Sequence, residues 1–327
     1  MTNLLQTNFQ PHTIRSVMDF MKYFNTDEKC LDYLINLKWG ETGFRCSRCG
    51  HDEYGVITTR NLLQCKRCYN QESFISNTIM RGTRKSLAQW FWAIYTIATQ
   101  KTGISAMELY RQMEFGSYQT AWTWLQKIRM AMVDPGRPKL NFDVEMDETY
   151  IFTGDERGRS MAGEKVLVLC AVEVINNLKK PTSGKIYLRS VEAASQVNIN
   201  SFVKDHVMPH STIRTDGWKG YNGLTKIGYV HKVMRLTCPA DASKQLPRVH
   251  RVFANLQSWL IGTHKFVSKK HVQNYLNEYT ARFNSRRHPI EVFNDVLRLT
   301  LLAEPRTYKE FTEPERPVYA NPAEVTE

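Results

Sequence analysis

Two cysteine pairs, Cys46-x2-Cys49 and Cys65-x2-Cys68, constrain this chain more than any other feature. A two-residue gap lets both thiolates of a turn reach one ion, and two such knuckles close a tetrahedral four-sulfur shell. The spacing predicts a zinc ribbon over 41–80, built around a structural Zn2+, because a closed shell leaves no position for a substrate. Cys30, Cys170 and Cys238 stand in apolar or loop settings and read as ordinary thiols. With this spacing the seven cysteines do not describe a disulfide framework.

The chain around the ribbon is basic, with 44 Lys+Arg against 32 Asp+Glu, and the net charge of +12 is spread over its whole length. That balance favours a polyanionic partner, most simply nucleic acid. The N-terminus lacks the apolar core and cleavage site of a signal peptide. The apolar run WFWAIYTIA is too short for a membrane span. A cytoplasmic, nucleoid-associated protein is therefore expected.

Helical periodicity marks 14–38, with a break at Asn25-Thr26-Asp27, and returns over 86–132 after the ribbon. Within the second stretch, GISAMELYRQM and SYQTAWTWLQKIRMAM are joined by EFGS and read as a helix-turn-helix. Periodicity alone fits a plain three-helix bundle equally well. The adjoining ribbon and the basic charge favour DNA binding, with Tyr118, Gln119 and Lys127 as contacts. A Pro/Gly linker, DPGRPKL, then separates this part from strand-like segments: NFDVEMDETYIF, EKVLVLCAVEVI and GKIYLRSV. A helix near 195–207, two short strands and helices near 248–262 and 268–284 complete the order. The expected units are an N-terminal helical segment (1–40), the ribbon (41–80), a helical DNA-binding domain (81–135), a catalytic domain (140–303) and a tail (304–327).

In DVEMDETY, alternation sets Val144 and Met146 against Asp143, Glu145 and Asp147. Asp216 closes the strand STIRTD, and Gly217 permits a sharp exit. Two acids at the ends of adjacent strands can hold a pair of Mg2+ ions, one activating the attacking oxygen and one stabilising the leaving oxygen of a phosphodiester. Either acid alone is most simply a turn former. Together, in the order three strands, helix, strand, they predict an α/β, ribonuclease-H-like sheet.

The motifs CSRCG … LLQCKRCYNQESFISNTIM, MDETY, TDGWKGYNGL, LPRVHRVFANLQSWLIGTHK and VSKKHVQNYLNEYTARFNSRR resemble, in content and order, the zinc-ribbon transposases of bacterial insertion sequences, the ISXO-like group. The resemblance runs from about residue 15 to 300. It implies an enzyme that binds terminal inverted repeats in double-stranded DNA, cuts the element's ends and joins them to target DNA with Mg2+ or Mn2+, acting as a dimer or larger assembly. Asp147 and Asp216 carry over as its two aspartates. Where relatives place a third ligand, usually Glu, stands His250, and Gln257 stands where they often keep Lys. Asn255 is the rival, because some members use Asn or His. At about 100° per residue, His250 and Asn255 lie about 140° apart on the helix, so one metal can hardly take both. Imidazole is the better donor and favours His250. The resemblance further assigns Glu278 and Arg282 to a Glu-Arg-Arg motif aimed at DNA or at an active-site carboxylate, although Ser285 occupies its last Arg position. Read from the helix alone, Glu278 and Arg282 are an i,i+4 ion pair. Trp218 and Lys219, just past Asp216, are candidate DNA contacts. The competing function is a zinc-ribbon DNA-binding protein derived from a transposase and catalytically inactive.

Overall fold

The computed structural model describes residues 14, 16–40, 43–57, 60, 62–76, 78–134, 136–154, 164–176, 180–234, 245–287 and 289–312. Cys238, most of FTGDERG and both chain ends lie outside the described residues.

The expected break at Asn25-Thr26-Asp27 is a cap: α1 (Val17–Tyr23) ends before it, and the Thr26 hydroxyl accepts the Lys29 N–H at the start of α2 (Asp27–Trp39). The ribbon follows as three short antiparallel strands, β1 (Tyr54–Ile57), β2 (Leu62–Cys65) and β3 (Gln71–Ser73). After it come α3 (Leu87–Thr99), α4 (Ala106–Gln112) and α5 (Tyr118–Ala131), each begun by a serine side-chain cap at Ser86, Ser105 or Ser117. Trp90 of α3 stacks on Trp124 of α5 at 3.7 Å between ring centroids.

The second body is a five-stranded sheet. Its strands are β4 (Asp143–Phe152), β5 (Lys165–Ile175), β6 (Thr182–Val191), β7 (Thr212–Thr215) and β8 (Val230–Val233), in the order β6-β5-β4-β7-β8. The first three pair antiparallel, whereas β7 runs parallel to β4 and β8 parallel to β7. The crossover from β6 to β7 is α6 (Gln196–His206). Alternation along β4 divides two cores. Val144 and Met146 meet Ile199, Phe202 and Tyr221 on one face, while β5 residues Val168, Cys170 and Val172 face α7 (Pro247–Trp259) and α8 (Val272–Asn284) on the other.

Two further helices, α9 (Pro289–Leu302) and α10 (Tyr308–Thr312), were not read from periodicity. Although α9 lies within 140–303, its Val292, Phe293, Val296 and Leu297 pack with α2 and α3 in the core that also holds the ribbon. The chain thus leaves the sheet and returns to the N-terminal body. Among the described residues no helix is long and apolar enough to cross a membrane.

Candidate active site and zinc ribbon

The ribbon's ligands are collected by two matching turns. Gly50 N donates to Cys46 O at 2.9 Å and Tyr69 N to Cys65 O at 3.1 Å, and both Gly50 and Tyr69 adopt positive φ. Cys46 and Cys68 sulfurs are then 3.6 Å apart, as are those of Cys49 and Cys65. A tetrahedron of sulfurs ~2.3 Å from zinc has edges of ~3.8 Å, so the set fits that ion. Glu72 braces the first knuckle by accepting from Ser47 N and Asn70 Nδ2, each at 2.9 Å. Among the described residues this is the one group in which three or more ligand atoms lie within 4.8 Å of each other.

The carboxylates meet through sheet register. Glu145 of β4 pairs with Arg214 of β7 in parallel, so Asp147 and Asp216, each two residues further on, lie beyond the same end of that pairing, and the Asp216 charge acts on Asp147. Asp147 is buried, and burial first, then the Asp216 charge, push its carboxyl up to about 6, against the opposing Glu148 N–H bond. Its Oδ1 accepts that N–H at 2.9 Å. Asp216 Oδ1 accepts the Trp218 N–H at 3.0 Å, the side-chain bond that tightens the exit turn. Glu148 was not singled out in the sequence. Burial and the charges of Asp147 and Asp216 push it up to about 7, and Tyr221 donates a hydrogen bond to it. The adjacency Asp147-Glu148 was its only available signal, and strand alternation argued against grouping them.

On α7, His250 and not Asn255 faces this cluster: His250 Nε2 lies 3.5 Å from Asp147 Oδ2, whereas Asn255 is exposed. Gln257 is half-buried. Trp218 is half-exposed, its indole N–H bonded to Ala194 O at 3.1 Å, and Lys219 is exposed next to it.

Glu278 and Arg282 sit elsewhere. Glu278 is fully buried and takes Arg129 of α5 at 2.8 Å and Arg282 at 3.3 Å. Arg282 also donates to Gln100 O and Lys101 O in the turn between α3 and α4. Trp259 Nε1 and Thr263 Oγ1 donate to Thr102 O in the same turn, at 2.7 and 3.0 Å. The pair therefore joins the helical body to the sheet body. Gly103 closes the joint: its φ is +66°, and a Cβ there would lie 2.5 Å from Glu278 Oε1.

Of the expected contacts on α5, Tyr118 and Gln119 are exposed in its first turn. They line a cleft of about 800 Å³ together with Trp122, His264 and Lys265. Lys127 instead lines a smaller cavity with Glu304, Arg306 and Phe311, and burial lowers its pKa. Beyond the first turn α5 is largely buried, carrying Trp124, Gln126 and Arg129 inward.

Residues 139–284 match the ISXO2-like transposase domain, and residues 25–71 match the transposase zinc-ribbon domain. A protein described as uncharacterized, in transposable element ISH50 of Halobacterium salinarum, is 24% identical over 296 residues, spanning 82% of this chain and 95% of its own length. Among solved structures, a chain of the simian T-cell lymphotropic virus intasome in complex with PP2A regulatory subunit B56 gamma aligns at a TM-score of 0.29 and 10% identity, over 53% of this chain and 63% of that one. That score is too low to assign a fold. The two domain matches are colinear with the ribbon and with the body from β4 to α8: the chain carries a transposase zinc-ribbon domain followed by an ISXO2-like transposase domain.

Proposed function

We propose that the chain binds the terminal inverted repeats of an insertion sequence, cleaves the element's ends and joins them to target DNA. The single observation that carries this reading is the placement of His250 3.5 Å from Asp147, whose pKa the charge of Asp216 raises, at one end of the sheet. Three antiparallel strands, a crossover helix and two parallel strands support a ribonuclease-H-like catalytic part. Residues 41–80 and 81–135 are assigned to DNA-end binding and 140–303 to catalysis, with α9 shared with the helical core.

Asp147, Asp216 and His250 would hold Mg2+ or Mn2+. Carboxylate oxygens suit these ions, and the Asp216 charge, added to burial, raises the pKa of both Asp147 and Glu148, which marks negative charge for which a divalent cation compensates. When bound, the metal pair activates the attacking oxygen and stabilises the leaving one. Glu148, titrating at about 7, takes up or releases a proton at its carboxylate near neutral pH. Trp218, Lys219 and Gln257 flank the acids as DNA contacts, and Tyr118 and Gln119 extend the track from α5. Glu278 and Arg282 act as the joint between the binding and catalytic parts. Joining two ends requires at least a dimer on DNA.

Purified protein incubated with element-end DNA and Mn2+ is expected to nick it. Asp147→Ala, Asp216→Ala and His250→Ala should lose nicking and keep binding, while Asn255→Ala keeps both. Affinity should fall by ~0.9 log units per log unit of salt for each phosphate neutralised. Tight binding with no cleavage overturns the enzyme in favour of an inactive DNA-binding derivative.

A further inference from the structure

We infer that Glu145, two residues before Asp147 on the same face of β4, is a positioning residue that sets His250 against the aspartates. The inference rests on the catalytic reading of His250 above. Helix α7 begins without a cap of its own: Leu246 at its N-cap offers no side-chain acceptor, and Pro247 has no N–H. Glu145 supplies the missing acceptor from the sheet. Its Oε2 accepts Arg248 N at 2.8 Å and Val249 N at 3.1 Å, and its Oε1 takes the Arg248 guanidinium, which is itself tied to Pro181 O at 3.0 Å. Glu145 is 1% exposed, so this negative charge meets the positive end of the helix with little screening by water. The next residue is His250.

Apolar packing through Val249, Val252, Phe253 and Leu256 holds α7 on the sheet, but that force is not directional. The hydrogen bonds to Glu145 are directional, and they fix the rotation and height of the first turn relative to β4. One strand thus carries two acids with separate tasks. Glu145 holds the helix that delivers the third ligand, and Asp147 faces that ligand.

Amide hydrogen exchange on the full-length zinc-loaded protein tests the docking directly, and Mn2+-dependent nicking of an element-end plasmid tests its catalytic consequence. In Glu145→Ala, exchange at Arg248, Val249 and His250 should accelerate roughly 5- to 30-fold, as loss of a cap does, while Leu256 to Trp259 stay as in the wild type. Nicking should fall by about 100-fold, the penalty for a misplaced catalytic group, with DNA affinity unchanged. In Glu145→Gln the amide oxygen can still accept both N–H groups, but its NH2 faces the Arg248 guanidinium. The pair Glu145→Gln with Arg248→Met removes that conflict and should restore both slow exchange and nicking. Unchanged exchange in Glu145→Ala overturns the docking, and accelerated exchange with full nicking overturns the positioning role. A wild type that never nicks refutes the transposase chemistry instead, and the exchange comparison still decides the docking.

Discussion

The ribbon and the carboxylate site both gather side chains suited to metal, yet they do so in opposite ways. Four thiolates come from two turns close in sequence, and their backbone hydrogen bonds set the sulfurs at zinc spacing. Asp147, Asp216 and His250 come from a strand, a strand end and a helix, and burial together with the Asp216 charge raises the pKa of Asp147. In the ribbon a bound ion would take part in folding, because Cys46 and Cys65 belong to the same core as Leu34 and Trp90. At the carboxylate site sheet pairing and core packing, rather than an ion, bring the acids near one another. A ligand that stabilises in one region should therefore destabilise in the other.

The largest effect should come from the ribbon. Structural zinc binds with roughly 10–16 kcal/mol in isolated fingers, so chelation or Cys46→Ser should unfold the N-terminal body. Zinc content together with hydrogen exchange across 43–134 would show it, and an unaltered exchange pattern would remove the contrast. The joint between the bodies comes next. Glu278→Ala leaves Arg129 buried and uncompensated and should cost about 3–5 kcal/mol, read by denaturant titration.

Smaller and opposite in sign is the effect of Asp147→Asn without divalent metal. The folded carboxyl titrates at about 6, above an unfolded value of ~3.9. Between these the folded state binds the extra proton, so stability falls as pH rises through the window, and the full cost is present above it. The Asn variant should gain about 1–2 kcal/mol at pH 8 and nothing below pH ~4. Equal melting temperatures for the two proteins at pH 8 would show that the acids are not in conflict. Of at least similar size is Gly103→Ala, where alanine must adopt positive φ and displace the buried Glu278 carboxylate, at a cost of at least about 1–2 kcal/mol in the same melting comparison.

Much of this was legible in one dimension. The ribbon follows from Cys-x2-Cys spacing and the two-core division of β4 from alternation of Val144 and Met146 with Glu145 and Asp147; spacing after Asp216 and the donor atom favour His250 over Asn255, and it is His250 that lies 3.5 Å from Asp147. Glu148 was hidden because alternation sends it to the opposite face, and only Tyr221 beyond the sheet draws it to the acids. The burial of Arg129 was hidden because its partner Glu278 lies 149 residues along the chain. The return of α9 to the N-terminal core was equally hidden, since periodicity shows that a helix has an apolar face but not what that face meets.

By itself the sequence determined the ribbon and the order of strands and helices as far as α8, because each depends on spacings of a few residues that backbone geometry converts directly into position. Only the tertiary structure decided that Glu145 holds the His250 helix, that Glu278 and Arg282 form a joint, and that His250 comes within 3.5 Å of Asp147. Each of these is a contact between segments whose approach is set by sheet register and core packing.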